Sequence, residues 1–444
     1  MTGILCVLLG GAKAPDPNPD AFSFTNASGV EPSTLTTSNT ITPVGYDAPA
    51  SWSVTNGGTA SINGGSYASS GTISPSQNIT VRGTSSASFN TSTSFLVSIG
   101  TTSSTWSVTT RVASEYIAVA HYLTPYVTTY PWSVSGFGTK IADPATLPTG
   151  DGKGVAFSPS GNAIAVAHST SPNISAYPWS GSGFGTKFAD PATIPPSQGN
   201  GVAFSPSGNA IAVAHFNSPN ISAYPWSGSG FGTKFADPAT VPTSAGWGVA
   251  FSPSGDAIAV AQAASPNISA YPWSGSGFGT RFADPATLPP GNGRGVAFSP
   301  DGTAIAIASF DTQIHAYSWS GSGFGTKFAN PATSLGGFGQ SVAFSPSSSA
   351  IAAGCSNFGV VAYPWSGSGF GTKYTDPFTL PSGTGRGVAF SPSGNALAVA
   401  HDTTPFITAY PWSGSGFGTK YANPSTLPNG SGANGGTAVA FGLA

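Results

Sequence analysis

Two residues ahead of seven Val-Ala-Phe triplets stand Lys153, Asn200, Trp247, Arg294, Gln340, Arg386 and Thr437. The sequence around them is nearly the same in every copy. Variation at one place in an otherwise uniform pattern marks where a partner is met, because the fold itself needs the invariant residues. Brought together, the first six would hold a sugar or an anionic glycan: a ring stacks on the indole, and cations and amides take the oxygens. Lys153, Asn200, Trp247, Arg294, Gln340 and Arg386 are therefore the expected ligand-binding residues, with solvated loop tips as the competing reading.

His121, His168, His215 and His401 recur at a second fixed place, where the other copies have Gln262, Ser309 and Cys355. They are secondary candidates. Equivalent positions in neighbouring copies should lie roughly 10 Å apart, whereas zinc holds its ligands at about 2 Å. A shared metal is not expected, nor any cofactor. Histidines satisfied at strand ends come first, with a contribution to a binding face second. Enzymatic readings fare worse. Glycosidases need paired carboxylates, and the triplet segments have none; Asp301 replaces Ser in one following turn, alone. Serines are plentiful but lack a nucleophile setting. The expectation is no catalytic residue and no enzyme.

The elements that position these residues are repeats. Trp-Ser-Gly-Ser-Gly-Phe-Gly-Thr, with Val for the first Gly in one copy, starts at Trp132, Trp179, Trp226, Trp273, Trp319, Trp365 and Trp412, at spacings of 46 or 47. Within one period the order is VAFSP, a turn, AIAVAH, a short loop, NISAYPWS, the turn GSGFG and then TKFADP. Short apolar runs bounded by Gly, Pro, Ser and Asn predict four antiparallel strands from the inside out. Four strands per period match one propeller blade, which must stack on its neighbours to bury both faces. The copies are out of phase at the ends. Tyr116 opens directly with the second strand, and Val439-Ala440-Phe441 ends the chain as a lone first strand. One blade is therefore assembled from both ends of the domain, with the C-terminal strand innermost.

These signatures resemble the WD-repeat family over residues 116–444, and the resemblance implies a propeller with this strand order. Trp is followed by Ser where that family has Asp, and no Gly-His pair precedes the first strand, so its side-chain network is not carried over. The outer strand is expected over TKFADP, where Lys140, Lys187, Lys234, Arg281, Lys327, Lys373 and Lys420 would guard an exposed edge. Asp143, Asp190, Asp237, Asp284 and Asp376 precede Pro, with Asn330 and Asn423 in the other copies, and read as turn formers.

Residues 18–110 carry short alternating segments at intervals of about ten residues, the pattern of an immunoglobulin-like β-sandwich. They also resemble Ser/Thr-rich modules of phage virion and bacterial surface proteins. The expected fold is thus all-β: an immunoglobulin-like β-sandwich followed by a seven-bladed β-propeller closed by a C-terminal innermost strand. The apolar run Ile4 to Leu9 makes residues 1–17 an expected docking peptide, with a signal peptide as the alternative.

Composition excludes other classes. Of 444 residues only 6% are charged, the net charge is −2, and there are 60 Gly and 39 Pro. Without a basic cluster there is no surface to track phosphates, so neither nucleic acid nor an anionic membrane is an expected partner. Cys6 and Cys355 show no reason to meet. By resemblance, the expected function is a bacteriophage virion structural protein, a tail fibre or receptor-binding appendage that displays the propeller to a host cell-surface glycan. It would join other virion proteins through its N-terminal segment and be oligomeric within the assembly. A capsid-decorating head fibre and a secreted, lectin-like bacterial surface protein are the alternatives.

Overall fold

Small and large residues alternate along most second strands. In Ala163–His168 all six residues are buried. Alternation places Ala163, Ala165 and Ala167 on one face and Ile164 and Val166 on the other. The alanine face packs against Ile211, Val213, Tyr224 and Trp226 of the following repeat, and the same small-against-large contact recurs around the domain. Each copy therefore presents one thin face and one thick face.

The computed structural model describes residues 13–86, 89–431 and 435–444. The chain divides into two units, Met1–Ala113 and Ser114–Ala444. In the first, a five-stranded sheet and a three-stranded sheet enclose one core containing Trp52, Ile79, Val81, Phe95 and Trp106. The buried Trp106 donates its indole N–H to the Thr25 carbonyl at 3.1 Å. Most of the expected docking peptide lies outside the described residues; Lys13, near its end, reaches Asp47 at 3.8 Å.

The second unit is a propeller-like set of sheets. A representative copy runs Gly152–Phe157, Ala163–His168, Ile174–Ser180 and Gly183–Phe184, each antiparallel to the next. Among the described residues, seven sheets follow this plan, one reduced to three strands plus the bridge between Trp226 and Phe231. The innermost strands lie side by side, and the last lies beside the first. Gly436–Leu443 pairs antiparallel with Glu115–His121, with Val439 opposite Val119 and Phe441 opposite Ile117. Both ends of the unit thus share one sheet.

Two contacts tie neighbouring sheets. Tyr177 donates its hydroxyl to the Thr146 carbonyl at 2.9 Å, and an equivalent Tyr does so in every sheet. The bond that closes the ring, Tyr130 to Thr426, is 2.7 Å across 296 residues. Trp226 is met edge-to-face by Phe204 and Phe231 of its own repeat and by Phe188 of the preceding one. That third ring corrects the expected outer strand. In most copies the fourth strand is only Gly-Phe, as in Gly183–Phe184, and TKFADP instead turns Phe188 into the gap between sheets. Its lysine pairs with the carboxylate three residues on, as in Lys140 with Asp143 at 2.6 Å, so these Asp residues hold cations as well as turns.

The four histidines are wholly buried at the ends of second strands. His168 Nδ1 lies 2.8 Å from the Thr170 carbonyl and Nε2 lies 3.0 Å from Ser175 Oγ. A carbonyl only accepts, so Nδ1 carries the proton and Nε2 accepts from the hydroxyl. Burial pushes all four imidazoles down to about 4. Gln262 fills the same place with Nε2 donating to Thr243 Oγ1 at 2.9 Å and Oε1 accepting from Ser269 at 3.2 Å.

One copy departs from the pattern in a paired way. Most innermost strands carry Gly where they approach one another, and the closing strand has Ala438, but Gln340 is followed by the larger Ser341, whose strand partner is Gly354 in place of Ala. A Cβ on Gly354 would lie 2.7 Å from Ser341 Oγ and 2.8 Å from the Gly385 carbonyl. The missing methyl makes room for the serine.

Gly354→Ala should cost about 1–3 kcal/mol by overpacking, and adding Ser341→Gly should recover part of it in urea unfolding; equal losses in both proteins would refute the pairing. The folded histidines titrate below their unfolded value of 6.5, so the unfolded chain binds protons first as pH falls. Their contribution is whole above pH 6.5 and is lost between 6.5 and 4, roughly 3 kcal/mol per histidine at the acid end. Replacing all four with Gln should flatten the urea midpoint over that window, and an unchanged slope would contradict the assignment.

Candidate functional site

Every candidate ligand residue occupies a β-bulge. Gly152 faces His168 and Gly154 faces Ala167, so Lys153 is the extra residue between them. The same one-residue shift places Asn200, Trp247, Arg294, Gln340, Arg386 and Thr437. A bulge kinks its strand and re-aims the side chain it carries. The flanking glycines are required by close approach. A Cβ on Gly199 would sit 2.4 Å from the Asn173 carbonyl, and one on Gly201 would sit 2.7 Å from the Trp247 carbonyl.

The bulges converge. Lys153, Asn200, Trp247, Arg294, Gln340 and Arg386 line one cavity of about 270 Å³, together with Tyr122, Thr437 and the adjoining strand backbone. That is near the lower end of ligand-pocket sizes, suited to a single sugar ring. Neighbouring bulges are tied: Asn200 Nδ2 donates to the Gly246 carbonyl at 2.7 Å, and Thr437 Oγ1 to the Gly152 carbonyl at 2.6 Å.

Charge in the cavity is unevenly compensated. Lys153 Nζ lies 3.5 Å from Asp151 and 3.9 Å from the centre of the Tyr122 ring. Arg386 donates to Asp402 at 3.2 Å, and Asp402 also accepts from the Thr384 amide at 2.9 Å. Arg294 is half-buried with no carboxylate partner among the described residues. Its guanidinium lies 4.2 Å from the centre of Trp247 and 5.3 Å from that of Phe310. Burial and the neighbouring Arg386 charge both push its pKa down. Buried polar atoms without a hydrogen-bond partner among the described residues gather here: Nε of Arg294 and Arg386, Nε1 of Trp247 and Oγ of Ser341. The lining has no Asp, Glu or His. Such a site offers donors and positive charge to an oxygen-rich anion.

Sequence reasoning found this ring but missed a second. The residue after each second strand is Tyr122, Ser169, Phe216, Ala263, Phe310, Ser356 or Asp402. Four of these meet bulge side chains: Tyr122 with Lys153, Phe216 with Trp247, Phe310 with Arg294 and Asp402 with Arg386. The signal was present as variation directly after an invariant strand. His121, His168, His215 and His401, one position earlier, point into the sheets and do not line the cavity. The recurring Asn-x-Ser also turns inward, with Asn173 Nδ2 donating to the Pro195 carbonyl at 2.7 Å.

No family model and no curated protein matches the sequence. No helix among the described residues is long and apolar enough to cross a membrane. In three dimensions the chain is similar to a candidate 6-phosphogluconolactonase from Bacteroides fragilis, with TM-score 0.60 and 14% identity over 74% of this chain and 98% of that one. A second candidate 6-phosphogluconolactonase, from Bacteroides uniformis, gives 0.55 and 15% over 74% and 99%. The periplasmic gluconolactonase of Pseudomonas aeruginosa gives 0.54 and 14% over 74% and 99%. At these identities the likeness is one of fold. It corrects the expectation of a non-enzymatic virion protein, whether tail fibre, receptor-binding appendage or capsid decoration, because these solved structures of the same fold carry the names of lactonases. In the repeats, Gly and Ser serve tight turns and Ala the thin sheet faces.

Proposed function

We propose that this chain is a hydrolase of sugar lactones, acting at the bulge-lined mouth of a seven-bladed, WD-like propeller that follows an immunoglobulin-like sandwich. The observation that carries the reading is Arg294, a half-buried guanidinium without a carboxylate partner among the described residues, in a cavity that also holds Lys153 and Arg386. The names of the three structural neighbours support it. So does the ligand chemistry: a sugar lactone presents a polarisable carbonyl and several hydroxyls, and a phosphorylated one adds an anion.

The chemistry divides between cations and one carboxylate. A guanidinium beside the lactone carbonyl stabilises the oxyanion that forms when water adds, in a partly desolvated setting where such stabilisation is strong. Asp402 is occupied by Arg386 and the Thr384 amide. Asp151 is not in the lining but lies half-exposed 3.5 Å from Lys153, which is, and from that edge takes the proton of the attacking water. The new bond joins the water oxygen to the carbonyl carbon; the ring C–O bond then breaks and its oxygen recovers a proton. The product is a hydroxy acid whose carboxylate meets the same cations. The apolar run Ile4 to Leu9 and the periplasmic name of one neighbour support work outside the cytoplasm.

Hydrolysis of glucono-δ-lactone and of its 6-phosphate, corrected for the spontaneous rate, tests the reading. Turnover above background is expected, with Arg294→Ala lowering kcat/KM roughly a hundredfold and Asp151→Asn lowering kcat more than it raises KM. Folded protein that accelerates neither lactone would overturn it.

A further inference from the structure

The cavity rim is apolar on one arc and polar on the other. Phe310 and Phe338 stack with centroids 4.2 Å apart and planes 15° from parallel, although they are 42% and 43% exposed. Phe216, half-exposed, meets Trp247 edge-on at 6.4 Å. Across the mouth, Tyr122, Lys153, Arg386 and Asp402 make the rim polar. Isolated exposed phenylalanines are ordinary; a stacked pair that continues an aromatic row beside a binding cavity marks a contact surface.

The pair is held from both sides. Phe310 N–H donates to the Asn292 carbonyl at 2.8 Å, and Phe338 N–H donates to Ser356 Oγ at 2.8 Å, while the Phe338 carbonyl accepts from the Ser356 amide at 3.1 Å. Next to Phe310, Asp311 accepts from the Gln313 amide at 2.9 Å and meets the buried His315 at 2.7 Å. The Asp311 carbonyl also accepts from the Gly339 amide at 3.0 Å, one residue beyond Phe338. The two loops that carry the rings are thereby fastened to each other. Exposed apolar rings fixed in place present a surface without further ordering cost on binding.

We propose that the Phe310–Phe338 rim is an apolar subsite, and that the preferred ligand is an amphiphilic anion whose charged end lies at Arg294 and whose hydrocarbon or aryl part lies over these rings. For the lactonase reading this names the substrate class: lactones with a non-polar substituent, whose ring-opened carboxylate product is the amphiphilic anion. The proposal rests on that reading only for the location of the site, not for turnover. Arg294 joins the two halves, because its guanidinium faces both the cavity and the Phe310 ring.

Titration calorimetry with butanoate, hexanoate and octanoate tests it independently of catalysis. Affinity should rise up to about fourfold for each methylene buried. Phe310→Ser with Phe338→Ser should remove the dependence on chain length, and Arg294→Ala should weaken all three anions alike. Should the double variant lose its thermal transition, Phe338→Ser alone should reduce the dependence. Equal affinity for the three anions in the unaltered protein, or a dependence that persists in the folded Phe variants, would overturn the subsite. Absence of lactone hydrolysis would instead count against the lactonase reading while chain-length dependence still established the subsite.

Discussion

Everything in the larger unit depends on the fit between a thin and a thick sheet face. An alanine face has no way to fill the space beside another alanine face, and two isoleucine faces would collide, so each copy accepts its neighbour in one direction only. Head-to-tail contacts of this kind either close or run on without end. Here they close, and at the seam Ile117, Val119 and Val439 meet Ala396, Ala398 and Ala400. The Tyr130 bond to Thr426 repeats at that seam the tie used between the other sheets. Burial raises the pKa of these tyrosines, to about 12 in Tyr271, so the donors keep their protons at ordinary pH.

The site is a by-product of that closure, refined by bulges. Ring closure draws the innermost strands so near one another that a Cβ would meet backbone at several of the flanking positions, and glycine is required there. After the first glycine of each innermost strand one residue is extruded from the ladder and has no packing duty. It is therefore free to vary, and seven such residues aim at one space. The Ser341 and Gly354 pair shows how narrow the tolerance is: one added hydroxymethyl on the inner strand is accompanied by one lost methyl on the next.

Electrostatics then distinguishes the three cations. Lys153 and Arg386 each have a carboxylate, whereas Arg294 is bounded by Trp247 and Phe310. Aromatic faces favour a cation, but they leave its charge uncancelled. The cavity thus keeps a positive charge in partly desolvated surroundings, where an incoming anion replaces water at little reorganisation cost.

The sequence by itself determined the repeat, the strand order within it, the assembly of one sheet from both ends of the repeat region and the ring of variable residues before each Val-Ala-Phe. These are local, periodic or comparative features, and each is written several times in one chain. It misjudged the outer strand, because TKFADP has strand-like composition but its aromatic is drawn into the gap beside the next tryptophan. It placed the histidines at strand ends without showing that they are neutral and buried. Only the tertiary structure decided that the variable residues sit on bulges, that Arg294 lacks the acidic partner Arg386 has, and that Phe310 stacks on Phe338 of the next repeat. Those relations join residues tens to hundreds of positions apart, and their distances are set by the curvature of the closed ring, which no single repeat encodes.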